Sequence, residues 1–196
     1  MQTREGRDFV VRRLILAAVA LAPLSAANAA EMDGVSLPET QMADGTQMQL
    51  NGIGVRTFSI FGIRIYVAGL YLEQRNDNSD SILRSSEKKL LDIRFLHDVD
   101  AAHAREAWQD GFAKNCLAPC DLDPRDVQRF LAAIPPMHKG DTSTLLFTSK
   151  GVRITLNGRP IGEINDRPFA AAVLATFIGP EPPTHRLKSE LLGLRE

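Results

Sequence analysis

The sequence predicts an α+β protein built on a large antiparallel sheet, and three observations support this class. Runs of β-forming residues are grouped along the chain, with no regular alternation of strand and helix, which is typical of α+β proteins. Several segments with helical spacing begin at capping residues. The 196 residues are 44% hydrophobic and 24% charged, a composition that provides one globular domain with its own core.

The first 29 residues are predicted to be a secretory signal peptide. Arginines at the start are followed by an apolar run over residues 14–22, and Ala27-Asn28-Ala29 has the small-x-small pattern of a cleavage site. The run is much shorter than the roughly 20 apolar residues that span a bilayer. We therefore expect a single domain over residues 30–196 that is periplasmic or secreted and keeps no membrane span after cleavage.

The charge of the chain argues against nucleic acid as a partner. The 23 Lys and Arg residues are balanced by 24 Asp and Glu residues, which gives a formal net charge of -1. Binding to a phosphate backbone needs a clustered excess of basic side chains. We therefore expect no nucleic acid among the partners.

Four strands are predicted in the first half of the chain. They cover residues 48–50, 55–61, 63–72 and 90–96. Asn51-Gly52 is interpreted as a turn between the first two strands. The third run is apolar on both faces except at Arg64, which is typical of a central strand that is covered on both sides.

Helices and further strands are predicted in the second half. The helices cover residues 100–112, a segment that starts at the Asp123-Pro124 cap, and residues 169–178. The strands cover residues 143–148, 152–156 and 161–164, and the first two form a hairpin around Lys150-Gly151. Asp166 is expected to cap the last helix, and Gly179 to end it.

Arg56 is the first candidate for a functional side chain. Alternation along its strand places Arg56 on the same face as the apolar Phe58, where a guanidinium must be paired or must point into a polar cavity. If this strand pairs with the next one, Arg56 and Tyr66 can converge on one anionic or carbonyl oxygen. The alternative is an internal ion pair between Arg56 and a carboxylate such as Glu73 or Asp92.

Two stretches of the sequence resemble the chalcone isomerase family. Residues 51–56 (NGIGVR) and 66–73 (YVAGLYLE) look like the N-terminal signature of this family, and residues 164–179 resemble its closing helix. The resemblance spans roughly residues 34–193. It implies a large antiparallel sheet with a layer of helices on one face, and a ligand cleft between the sheet and the helices.

The resemblance also implies a ligand site. Arg56 and Thr176 match an arginine and a threonine of the substrate cleft in the plant enzymes, whereas Tyr66 stands where those enzymes have a threonine that polarises the carbonyl. Family members without the full catalytic set resemble fatty-acid-binding proteins, in which an arginine and a tyrosine hold the carboxylate. Arg56 and Tyr66 fit this second version better than the enzymatic one.

Other cleft positions differ from the plant enzymes. The region that corresponds to their tyrosine, lysine and asparagine carries Asp100, His103 and Ala107 instead. Positioning of the substrate provides much of the rate of such an intramolecular reaction, and these replacements therefore argue against stereospecific closure of a chalcone.

Three functions follow from these observations. The first is an exported protein that binds a small hydrophobic carboxylate, similar to a fatty acid, through Arg56, Tyr66 and Thr176. The second is an intramolecular lyase or isomerase that acts on a chalcone-like conjugated carbonyl compound, with the same three residues as its catalytic groups. The third is an interaction module of an envelope redox system.

Cys116 and Cys120 are the two cysteines of the chain, and we predict that they form a disulfide. Exported compartments are oxidising, which favours a local bridge between two neighbouring thiols. The bridge is expected to fix the connection between the two helices on either side of it. A cluster of polar residues precedes and begins the first of these helices: His97, Asp98, Asp100 and His103. Their spacing matches no metal-binding motif, and we predict neither a metal nor another cofactor.

Overall fold

The structure is a computed structural model that describes residues 29–59, 61–116 and 120–194. Apart from Ala29, the predicted signal peptide lies outside the described residues. Within these ranges the chain forms a small hairpin, a large sheet and five helices. The predicted α+β class is confirmed.

The strands follow one another in space as they do in the sequence. A hairpin of β1 (Ala29–Met32) and β2 (Val35–Pro38) comes first. The large sheet then has seven strands in the order β3 to β9, each antiparallel to its neighbours. They are β3 (Thr40–Ala43), β4 (Thr46–Phe58), β5 (Ile63–Leu72), β6 (Lys89–Phe95), β7 (Thr142–Phe147), β8 (Val152–Leu156) and β9 (Arg159–Ile164).

The helices begin where the sequence provides caps. They are α1 (Ser79–Arg84), α2 (Ala101–Asn115), α3 (Pro124–Ala133), α4 (Arg167–Ile178) and α5 (His185–Leu191). Asp100, Asp123 and Asp166 each accept a hydrogen bond from a backbone N–H in the first turn of their helix, which satisfies donors that have no partner within the helix. None of the helices in the described residues is long and apolar enough to span a membrane.

The main core lies between the helices and one face of the sheet, which we call the inner face. Inner-face side chains of β5 and β6, such as Leu70 and Leu91, are fully buried in it. Aromatic rings from three helices meet in the same core, with ring centroids 4.8–6.0 Å apart in the pairs they form. They belong to Trp108, Phe112, Phe130, Phe169 and Phe177.

A second, smaller core covers the opposite, outer face of the sheet. Leu37 of β2 is fully buried there, and the hydroxyl of Tyr71 donates a hydrogen bond to the carbonyl of Pro38 at 3.0 Å. Gly69 makes room for the hairpin, because a Cβ at this position would lie 2.6 Å from a methyl group of Leu37. The sequence analysis predicted none of the short strands β1, β2 and β3.

The predicted turn at Asn51-Gly52 is wrong. Strand β4 runs without a break through both residues, and its pairing with β5 has an irregularity between Leu50 and Gly52. The amide of Asn51 donates to the carbonyl of Leu191 at 3.0 Å, and its oxygen accepts a hydrogen bond from the backbone of Asn76. The dipeptide is therefore a bulge that contacts the end of α5 rather than a turn.

Candidate ligand-binding site

Arg56 on β4 and Tyr66 on β5 lie directly opposite each other in the sheet. The register of the pairing shifts immediately beyond them, between Arg56 and Thr57. The guanidinium carbon of Arg56 lies 5.9 Å from the centroid of the Tyr66 ring, a distance at which a cation is attracted to an aromatic face. The two side chains that the sequence analysis expected to converge are therefore neighbours.

Tyr66 is buried on the inner face among aromatic residues. Its ring contacts Phe95 of β6 edge-on, with centroids 5.9 Å apart, and Phe177 of α4 at 6.4 Å. The side chain of Arg56 is half-buried at the margin of this group. The pair therefore places two polar groups at the border of an apolar region.

Arg56 forms no ion pair with a carboxylate of the described residues. Asp92 is paired instead with Arg94, at 2.8 Å, and a carboxylate oxygen of Glu73 accepts the backbone N–H of Lys88 at 2.7 Å. The alternative in which Glu73 or Asp92 neutralises Arg56 is therefore wrong. A half-buried guanidinium without a carboxylate partner can still accept an anion.

The protonation state of Tyr66 suits a hydrogen-bond donor. Burial raises the pKa of Tyr66 above its ordinary value, and the positive charge of Arg56 acts in the opposite direction. The phenol therefore stays neutral at physiological pH and keeps its O–H. Arg56 supplies a positive charge at this site, and Tyr66 supplies a neutral hydrogen-bond donor.

Comparison with known families identifies the chain. A family model described as chalcone isomerase-like matches residues 29–193. The chain belongs to the chalcone isomerase-like family. The match covers all nine strands and all five helices of the described residues, and the predicted resemblance is confirmed over a slightly longer range than the sequence motifs suggested. No curated protein matches the sequence.

A solved structure shows the same fold. The crystal structure of a fatty-acid binding protein from Arabidopsis thaliana superimposes with a TM-score of 0.70 at 17% sequence identity. The match covers 84% of this chain and 96% of the plant protein. At this identity the similarity establishes the architecture of the chalcone isomerase-like chain.

Thr176 has different contacts from those of Arg56 and Tyr66. It is buried on α4, and its hydroxyl donates to the carbonyl of Val173 at 2.7 Å within the helix. Its methyl group faces α2, since a Cβ on Gly111 would lie 3.0 Å from it. The structure shows Thr176 packing between two helices, and its role in a ligand site stays a prediction.

Two surface cavities lie away from the Arg56–Tyr66 pair. One is a largely apolar groove of about 530 Å³ between α2 and α3, lined by residues such as Phe112 and Leu131. The other, of about 270 Å³, lies between β3, β4 and Arg75. Neither is lined by Arg56, Tyr66 or Thr176.

The predicted disulfide between Cys116 and Cys120 is confirmed. The Cα atoms of the two residues lie 5.2 Å apart. Cys116 caps the C-terminus of α2, and Cys120 precedes the first residue of α3 by four positions. The bridge therefore lies in the connection between the two helices, as the sequence analysis expected.

The polar residues before and within α2 form pairs rather than a cluster. His103 is hydrogen-bonded to Asp100, and the ring of His138 lies 3.9 Å from Asp98. The hydrogen bond to Asp100 raises the pKa of His103. No group of three or more His, Cys, Asp and Glu side chains within the described ranges is arranged to hold a metal ion.

The sequence analysis missed the aromatic neighbours of Tyr66. Phe95 could have been found, because it lies on the face of β6 that alternation assigns to Leu91 and Ile93. Phe177 carries no such signal, because nearly every residue of α4 from Phe169 onwards is buried and periodicity cannot select one face.

Asp92 is a buried carboxylate whose predicted role was to pair with Arg56. It lies on the outer face, where one carboxylate oxygen accepts a hydrogen bond from Arg94 and the other has no partner among the described residues. Burial raises the pKa of Asp92, and the charge of Arg94 opposes this shift.

Proposed function

We propose that this chalcone isomerase-like protein binds a small hydrophobic carboxylate, similar to a fatty acid, with Arg56 and Tyr66 as the groups that hold the carboxylate. The observation that carries the proposal is the half-buried guanidinium of Arg56, which has no carboxylate partner in the described residues and lies beside the buried hydroxyl-bearing ring of Tyr66. Bound carboxylate would complete this arrangement by neutralising Arg56.

The chemistry of the surroundings supports an amphipathic ligand. Phe95 and Phe177 flank Tyr66 on the inner face, and rings of this kind favour a hydrocarbon chain over water. The plant protein with the same fold is a fatty-acid binding protein, which agrees with this choice of ligand class. Catalysis would need further groups to position a substrate, and Thr176 contacts α2 instead.

The test is a binding titration with a fluorescent fatty acid in vesicle-free solution, together with mass spectrometry of an organic extract of the purified protein. Arg56→Gln removes the charge, and we expect a dissociation constant roughly tenfold to a hundredfold larger than that of the parent. Tyr66→Phe removes one neutral hydrogen bond and should weaken binding by about tenfold or less. The matched control is Arg64→Gln, because Arg64 is exposed and paired with Asp33.

Two outcomes would contradict the proposal. Equal affinities of the parent and Arg56→Gln would show that the guanidinium does not hold the carboxylate. Turnover of a chalcone-like compound by a parent protein that binds no fatty acid would favour the isomerase instead.

A further inference from the structure

Three exposed apolar side chains lie together at the end of the β4–β5 hairpin. Phe58 is 61% exposed, Phe61 84% and Ile63 40%. The other large hydrophobic residues exposed in the described part of the chain, Met42 and Leu194, lie outside this hairpin. Single exposed apolar residues are ordinary, but a cluster in one turn marks a contact surface. We call Phe58, Phe61 and Ile63 the apolar tip.

Two hydrogen bonds join the described residues Ser59, Phe61 and Gly62 beside the apolar tip. The N–H of Gly62 donates to the carbonyl of Ser59 at 3.1 Å, and the N–H of Phe61 donates to the hydroxyl of Ser59 at 3.3 Å. Phe58 and Ile63 are directly opposite each other in the ladder. Their side chains therefore lie side by side at the base of the turn, and Phe61 is the most exposed of the three.

The charge of this hairpin is opposite to that of the whole chain. Between Thr46 and Leu72 the sequence has Arg56 and Arg64 and no acidic residue, although the formal net charge of the chain is -1. Arg64 is paired with Asp33 at 2.9 Å, yet its side chain remains 62% exposed. Such an exposed ion pair is weak and can be exchanged for another anion.

The spacing between the apolar tip and the arginines suits the surface of a bilayer. Arg56 precedes Phe58 by two residues, and Arg64 follows Ile63 by one, so the backbone positions of the arginines lie roughly 3–7 Å behind those of the apolar residues at about 3.3 Å per residue. Apolar groups at a membrane interface bury about 5–10 Å into the boundary between headgroups and acyl chains. The arginines would then lie at the depth of the lipid phosphates.

We propose that the apolar tip docks the protein on a bilayer surface that contains anionic lipids. Phe58, Phe61 and Ile63 would enter the acyl-chain boundary, and the charges of Arg56 and Arg64 would be attracted by the headgroups. This inference goes beyond the proposed function, and docking does not require that the site bind a fatty acid. If both hold, the Arg56–Tyr66 pair lies next to the phase in which hydrophobic carboxylates concentrate.

The test is co-sedimentation with vesicles of phosphatidylcholine alone or of phosphatidylcholine mixed with phosphatidylglycerol. We expect the parent to partition more strongly to the anionic vesicles. Phe61→Ser should lower this partitioning by roughly tenfold, as expected for a lost buried aromatic side chain. Arg64→Gln should lower it by about fivefold on anionic vesicles and leave the zwitterionic ones unchanged.

Met42→Ser is the matched control, because Met42 is 65% exposed and lies next to the turn that precedes β4, at the opposite end of that strand. Every variant carries the same N-terminal residues, so a difference in vesicle binding between two variants comes from the substituted side chain. Equal partitioning of the parent and Phe61→Ser, or an equal loss in Met42→Ser, would overturn the proposal. So would a concentration-dependent dimer that Phe61→Ser abolishes while vesicle binding is unchanged.

A fatty-acid titration in vesicle-free solution separates this proposal from the proposed function. We expect Phe61→Ser to bind the fluorescent fatty acid as the parent does, because Phe61 lies outside the Arg56–Tyr66 pair. Vesicle binding without fatty-acid binding would leave the docking surface standing and contradict the proposed ligand. Fatty-acid binding without vesicle binding would support the proposed ligand and contradict the docking surface.

Discussion

Buried Lys89 and half-buried Arg56 have different hydrogen-bond surroundings. The ammonium group of Lys89 donates hydrogen bonds to the carbonyls of Ser85 and Glu87, both at 2.8 Å. Burial lowers the pKa of Lys89 to about 8. Arg56 has no comparable set of acceptors. Lys89 is therefore held by backbone carbonyls of the α1–β6 connection, whereas Arg56 is the residue for which we proposed a ligand-binding role.

The pKa of Lys89 predicts how stability depends on pH. The unfolded chain binds the proton of this lysine below about pH 10.5 and the folded chain below about pH 8. Between these values the unfolded state holds more protons, so the free energy of unfolding should rise as the pH rises through this window. Urea denaturation across the window should show this rise in the parent and in Lys88→Met, and a smaller rise in Lys89→Met. Identical profiles for all three would contradict this prediction.

For single residues, the sequence indicated which two side chains could be neighbours but not which hydrogen-bond partners the other polar side chains would have. The sequence indicated that Arg56 and Tyr66 could converge if their strands paired, and the structure pairs the two residues directly. It could not show which carboxylates would be engaged elsewhere, because the partners of Asp92 and Glu73 are set by β6 and the α1–β6 connection. Thr176 could be matched to the family only by position, and its hydroxyl is used within α4.

Helix α5 and strand β4 are fitted to each other through glycine. A Cβ on Gly52 would lie 2.0 Å from the carbonyl oxygen of Glu190 and 2.6 Å from that of Leu191. These are backbone atoms at the end of α5, which cannot move without displacing the helix. The same Asn51-Gly52 sequence is a common turn signal, and local sequence could not show that a distant helix end approaches it.

Gly52→Ala should therefore destabilise the protein by about 1–3 kcal/mol, as overpacking of a close contact does. The control is Gly162→Ala in β9, where a Cβ would have its nearest contact at 3.4 Å, with Ala133. We expect that variant to stay within about 0.5 kcal/mol of the parent. Chemical denaturation of the three proteins measures both values. Equal midpoints would show that α5 adjusts to the added methyl group without cost.

The whole molecule has three layers: the helices, the curled sheet and the β1–β2 hairpin. The sequence predicted the first two, because the apolar run of β5 and the three capped helices have strong local signals. It did not predict the third, since the contact of Leu37 with Gly69 joins residues that are far apart in the chain. The β1–β2 hairpin can unfold either together with the rest of the sheet or separately from it, and this depends on contacts across the entire fold.

Leu37→Ala tests this cooperativity. Leu37 is fully buried against the outer face, and its truncation should cost about 2–5 kcal/mol. Trp108, the single tryptophan, lies in the helix layer on the other side of the sheet, so its fluorescence follows unfolding of the inner core. If the layers unfold as one unit, the Trp108 transition and the far-UV circular dichroism transition should shift together to lower urea.

Met42→Ala provides the comparison for that experiment, because it shortens an exposed apolar side chain and should change stability by no more than about 0.5 kcal/mol. An unchanged Trp108 midpoint in Leu37→Ala would mean that the hairpin unfolds by itself and leaves the inner core intact. A joint shift would mean that contacts on the outer face stabilise the strands that hold Arg56 and Tyr66, so that changes far from this pair can alter ligand binding through global stability alone.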